Sequence, residues 1–85
     1  MTPPWRIFYV FLEMTFRQLR EQAGITQAQL AKLSGVEQTT VSQLELGKVR
    51  DPRWSTISAL AIVLNASPGT VAKAIEQTAA KRRIA

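Results

Sequence analysis

The chain has 85 residues, room for one small domain with a modest core. Its 11 Lys and Arg outnumber 6 Asp and Glu for a formal net charge of +5, a balance that suits a polyanionic partner. Cys and His are both absent, which excludes disulfides, thiolate metal sites and the commonest general base and metal ligand.

The six scattered carboxylates assemble no nucleophile–base or metal constellation, so the chain is expected to be no enzyme and to need no cofactor. The longest strongly apolar run, residues 7–12, is too short to cross a bilayer and no small-residue cleavage site follows it. No membrane partner is expected, and a cytoplasmic location is the default.

Residues 1–14, MTPPWRIFYVFLEM, form an apolar N-terminal extension unlike the rest. Pro4 can take a first helical position, and Trp5, Phe8, Leu12, Phe16 and Leu19 recur at helical spacing, so a helix over about residues 4–23 is one reading. The run Ile7-Phe8-Tyr9-Val10-Phe11 also suits a short strand. Six consecutive apolar residues are too many for one face of a small domain, so a second subunit is expected to cover them. In a competing reading, MTFRQLREQAG is the natural start and residues 1–13 derive from an upstream start codon.

The domain spans residues 15–80. Thr15 is a helix cap with Gln18 three residues on, and the first helix, residues 16–23, puts Phe16, Leu19 and Ala23 inward. Thr26 repeats the signal with Gln29, and Leu30, Ala31 and Leu33 give the second helix an apolar stripe. Gly35 can take the left-handed conformation that ends it. A third helix over about residues 37–46 is anchored by Val41 and Leu44 and ends at Gly47. Between its anchors it carries Gln38, Thr39, Thr40, Ser42 and Gln43.

After the basic loop of residues 48–53, a fourth helix over residues 54–64 buries Ile57, Leu60, Ala61 and Leu64. Ser67-Pro68 starts a fifth, carrying Val71, Ala74, Ile75 and Thr78 to about Ala80. Residues 81–85 are read as a basic tail. Trp54 and Trp5 are expected in a core or interface. Two helices joined by a short Gly-containing turn, the second with a polar face, make the helix-turn-helix signature.

TQAQLAKLSGV and TTVSQLELGK, with the later Pro52, Thr56-Ile57, Leu60-Ala61 and Leu64, resemble the Cro/cI or XRE-like helix-turn-helix family of lambdoid phage repressors. The likeness covers about residues 15–77. It implies an all-α, compact five-helix bundle whose second and third helices form the helix-turn-helix. It also implies that Gln38, Thr39 and Gln43 read bases in the major groove, that Thr40 lies near a phosphate, and that Gln27 packs against Gln38 and holds the DNA backbone. Gln suits adenine N6 and N7, and the Thr methyl suits the thymine methyl. Taken by residue type alone, this face is a solvated polar helix surface; the two-helix context favours DNA contact.

Gln27 also stands where free backbone N–H groups favour a phosphate. Lys48, Arg50 and Arg53 are cations in the loop after the third helix, suited to phosphate contact, or equally to an ordinary charged loop diluted by Asp51. Arg20 and Glu45 match a structural ion pair of the family that ties the first helix to the third. Two positions depart from the pattern: Leu46 stands where a polar residue is usual, and Glu37 is a poor cap whose charge faces the DNA side.

The leading expectation is a sequence-specific regulator of double-stranded DNA, a repressor acting as a homodimer on a pseudo-palindromic operator. The alternative is a protein-interaction module on the same fold: an antitoxin that masks a toxin, or a co-regulator bridge.

Overall fold

Thr15 and Thr26 start two helices in the same way. The Thr15 hydroxyl accepts from the Gln18 backbone N–H at 3.3 Å, and the Gln18 side chain accepts from the Thr15 N–H at 2.8 Å. At Thr26 and Gln29 the paired distances are 3.1 and 2.8 Å. Each box satisfies two backbone donors that a helix start otherwise leaves unpaired. They open α1 (Phe16–Gln22) and α2 (Gln27–Ser34) in the computed structural model, which describes residues 14–84.

α2 stops where Gly35 takes φ 76°, and the Ser34 hydroxyl locks the turn by donating to the Leu30 carbonyl at 2.7 Å and accepting from the Val36 N–H at 3.2 Å. α3 (Gln38–Glu45) follows without a side-chain cap, since Glu37 makes no capping hydrogen bond. Gly47, at φ 74°, turns the chain away after it. α4 (Trp54–Leu64) ends at Asn65, whose φ of 53° is a left-handed cap. Ser67 accepts from the Thr70 N–H at 3.1 Å, and Pro68 opens α5 (Pro68–Ile84). The described residues form five helices and no strand, as the sequence predicts.

α2 and α3 pack on each other, α4 lies against α2 and α5, and α5 also touches α1 and α3. The chain bends by 106° between α4 and α5. Phe16, Leu30, Val41, Leu44, Leu60 and Val71 are each 0% exposed, so all five helices contribute to one core. Burying each such side chain is worth about 1.5–3 kcal/mol before entropy is counted. Thr78 is the polar member of that core. Its hydroxyl accepts the Phe16 N–H at 3.0 Å and donates to the Ala74 carbonyl at 2.8 Å, tying the start of α1 to α5.

Three expectations change, and a fourth narrows. Ala23 is exposed because α1 ends at Gln22 and Ala23 is its cap. Leu33 is 64% exposed, because the inward face of α2 runs through positions 27, 30, 31 and 34 and Leu33 sits off it. Trp54 is 67% exposed at the first position of α4, outside the core, which leaves the interface branch of its core-or-interface expectation. The stretch after Ala80 is not a separate tail: α5 continues to Ile84, through helix-forming Ala79, Ala80 and Lys81, with cations at the end that the helix dipole favours. The expected helix, strand or subunit contact over residues 1–13 lies outside the described residues. Among those described, no single helix is long and apolar enough to cross a membrane.

Candidate nucleic-acid interface

Val41 and Leu44 anchor α3 in the core, and Glu45 is drawn in beside them. At 100° per residue, Thr39 and Gln43 fall opposite those anchors, and Gln38, in the first turn, flanks them on the Glu45 side; all three are exposed. Ser42 falls inside the arc these three span and is half-buried. Residue types alone did not single it out, although its spacing of four from Gln38 places it there. Thr40 is also half-buried, on the other flank beside Leu44. Among the described residues, the side chains of Gln38, Thr39 and Gln43 are committed to no hydrogen bond within the chain, so their donors and acceptors are open to a ligand.

Arg20 fixes the height and rotation of this helix. Its Nε donates to Glu45 Oε2 at 2.6 Å and its Nη2 to Oε1 at 3.0 Å, a two-pronged contact. A third donor, Nη1, reaches the Ile25 carbonyl at 2.9 Å. One guanidinium therefore joins α1, the turn before α2 and the last turn of α3. The side chains are 13% and 5% exposed. The hydrogen bond to Glu45 raises the Arg20 pKa above its ordinary value, burial opposes that, and the Glu45 charge adds to the rise. A carboxylate at a helix C-terminus is unfavourable with the dipole; here the Arg20 charge offsets it.

Gln27, in the first turn of α2, is half-buried. No hydrogen bond joins it to Gln38 among the described residues. Lys48, Arg50 and Arg53 are all exposed, in or beside the turn that leaves α3. The Lys48 N–H donates to the Gln43 carbonyl at 3.0 Å, which fastens that residue to the helix end. A shallow groove beside it is lined by Gly47, Lys48, Arg50, Ala79 and Arg82. Arg50 also lines a neighbouring depression with Asp51 and Glu76, two carboxylates that reduce its field. Leu46 is 55% exposed and Glu37 is exposed, at the two ends of α3.

A family described as a helix-turn-helix domain matches residues 14–74, well over half of the chain. The chain belongs to that family. The helix-turn-helix pair is α2 and α3, with Gly35 in its turn, and the match agrees with the XRE-like resemblance of the sequence. No curated protein and no solved structure matches the chain. Helix-turn-helix domains serve characteristically to bind DNA through their second helix.

Proposed function

We propose that this helix-turn-helix protein is a sequence-specific regulator of double-stranded DNA, a repressor of the Cro/cI kind that binds as a homodimer and inserts α3 into the major groove. The observation that carries the reading is the exposed arc of Gln38, Thr39 and Gln43 on a helix rigidly held by Arg20. These side chains read base edges, while Gln27, Thr40, Lys48, Arg50 and Arg53 hold the sugar–phosphate backbone. α3, like any α-helix with its side chains, is about 10–12 Å across, which suits a groove about 12 Å wide. Thr40 is the weakest of the backbone set, because it faces partly inward. Repression follows from occluding a promoter.

Selection of bound fragments from randomised duplex DNA, at near-physiological salt, tests this. The expected result is an enriched inverted repeat with half-sites about one helical turn apart, around 34 Å. Salt-sensitive binding with no enriched sequence would leave only the basic charge as explanation and sink the specific reading.

A second reading has its own observation. Trp54, Ser58 and Ile62 share one face of α4 at spacings of four, and Trp54 and Ile62 are 67% and 81% exposed. Large apolar side chains in water favour a protein contact. A protein-interaction module, such as an antitoxin or co-regulator, uses that face instead of α3. Retained partner binding after Gln38 and Gln43 are replaced, with no duplex preference in the unaltered chain, is its expected signature.

A further inference from the structure

The sharp turn after α3 is built against α5. A Cβ on Gly47 would stand 2.9 Å from the Thr78 carbonyl oxygen and 3.1 Å from Arg82 Cβ. Arg82, which in sequence belongs to a terminal basic stretch, is thereby delivered to the residue immediately before Lys48. The groove formed there has Gly47 and Ala79 as its small-residue lining and Lys48, Arg50 and Arg82 as its cations, with no carboxylate among the lining residues. Arg17, Arg20 and Lys73 are each matched with a glutamate, while Lys32, Arg53 and Lys81 are in no ion pair among the described residues but line no such groove. Lys48, Arg50 and Arg82 take part in no ion pair among the described residues.

Three like charges gathered at one groove repel each other unless an anion lies between them. The missing side chain at Gly47 lets α5 pack against the turn and bring Arg82 beside Lys48. Lys48 is tied by its N–H to the last turn of α3, so an anion held there sits at a fixed offset from the helix.

We infer that Arg82 joins Lys48 in binding one backbone phosphate of the duplex, so that α5 is part of the DNA-binding surface and sets the register of α3. The inference rests on the DNA reading above. Arg82 is a positioning residue: it touches a phosphate, carries no base information and acts on all sequences alike.

The test compares Arg82→Ala with Lys81→Ala. Both remove one charge from the same helix, and both side chains are exposed, but Lys81 does not line the groove. Affinity for an operator duplex and for a random duplex is measured across salt concentration. Loss of one phosphate contact flattens the salt slope by about 0.9, so the affinity lost between about 50 and 200 mM salt shrinks by about 3.5-fold. That change is expected for Arg82→Ala on both duplexes, with Lys81→Ala much closer to the unaltered chain and Arg82→Lys restoring most of the slope.

Thermal unfolding of each variant separates a folding defect from a lost contact, and Arg82→Gln, which keeps the stem, serves if the alanine variant is unstable. Equal slopes for Arg82→Ala and Lys81→Ala, in a chain that binds duplex DNA, would overturn the inference alone. An unaltered chain that binds no duplex would overturn the DNA reading and this inference with it.

Discussion

Arg20 grips Glu45 through two parallel hydrogen bonds of 2.6 and 3.0 Å across 25 positions of sequence. Both side chains are largely withdrawn from water, so losing either partner strands a charge rather than merely losing a contact. Arg20→Ala or Glu45→Ala should each cost about 3 kcal/mol or more, a fall of about 12–24 °C in Tm for a domain of this size. Replacing both by apolar residues of similar volume, Arg20→Met with Glu45→Leu, should cost less than either single change. Urea unfolding of the four proteins checks this; a double variant as unstable as the sum of the singles would mean the pair contributes little as a pair.

The same contact makes a statement about pH. Glu45 raises the Arg20 pKa, with burial partly opposing. A base with a folded pKa above its unfolded one stabilises the fold fully below the unfolded value, and loses that contribution as pH rises through the folded one. Both values lie far above neutrality, so Arg20 adds no pH dependence between about pH 6 and 10. The stability difference between the unaltered protein and the paired Arg20→Met, Glu45→Leu variant, which strands no charge, is therefore expected to stay flat over that window. A steady decline would trace the effect to a different titrating group.

Gly47 and Gly35 share positive φ values of 74° and 76°, yet their surroundings differ. A Cβ at Gly35 meets nothing within 4 Å, whereas at Gly47 it meets the Thr78 carbonyl oxygen at 2.9 Å. Gly35→Ala should cost about 1–2 kcal/mol, the strain of a left-handed alanine. Gly47→Ala adds an overpacking penalty of about 1–3 kcal/mol, because the obstacle is backbone that cannot swing aside. Denaturant midpoints should rank unaltered, then Gly35→Ala, then Gly47→Ala. Equal losses would contradict the close approach of α5 to the turn.

Thr78 ties α1 to α5 through a hydroxyl rather than through area. Thr78→Val keeps the shape but leaves the buried Phe16 N–H without its acceptor, an expected cost of about 1–3 kcal/mol. Thr78→Ser keeps the hydrogen bond and loses one methyl, so it should be the milder change. Thermal unfolding of the two variants decides; a valine variant as stable as the serine one would mean water or a shifted backbone takes over the N–H.

The features legible in the sequence are those written in local chemistry. Thr15 with Gln18, Thr26 with Gln29, Gly35 and Ser67-Pro68 each specify a helix end within a few residues, and the structure has helix ends at all four. Val41 and Leu44 set the rotation of α3, and so its exposed arc. The rest depends on distant partners. Leu33 and Ala23 were misplaced because a seven- or eight-residue helix holds too few apolar positions to fix its phase. The Thr78 contact to Phe16 spans 62 positions. Arg82 reads as part of a tail until α5 is seen to reach Gly47.

Base reading and backbone holding should separate cleanly on this surface. Gln38 and Gln43 lie exposed on α3, and each amide that makes a two-pronged adenine contact discriminates by about 1–3 kcal/mol. Gln38→Ala with Gln43→Ala should therefore erase the preference for a selected operator over random duplex while leaving residual, salt-sensitive binding. Neither side chain is in the core, so the unfolding free energy should stay within about 0.5 kcal/mol of the unaltered chain. Lys48→Ala should do the reverse: weaken operator and random duplexes alike and reduce the salt slope by about one, with the preference intact. Titrations of both variants against both duplexes at several salt concentrations give the comparison. Should the double glutamine variant keep its preference, base reading by α3 is wrong, and sequence is then read elsewhere on the chain or not at all.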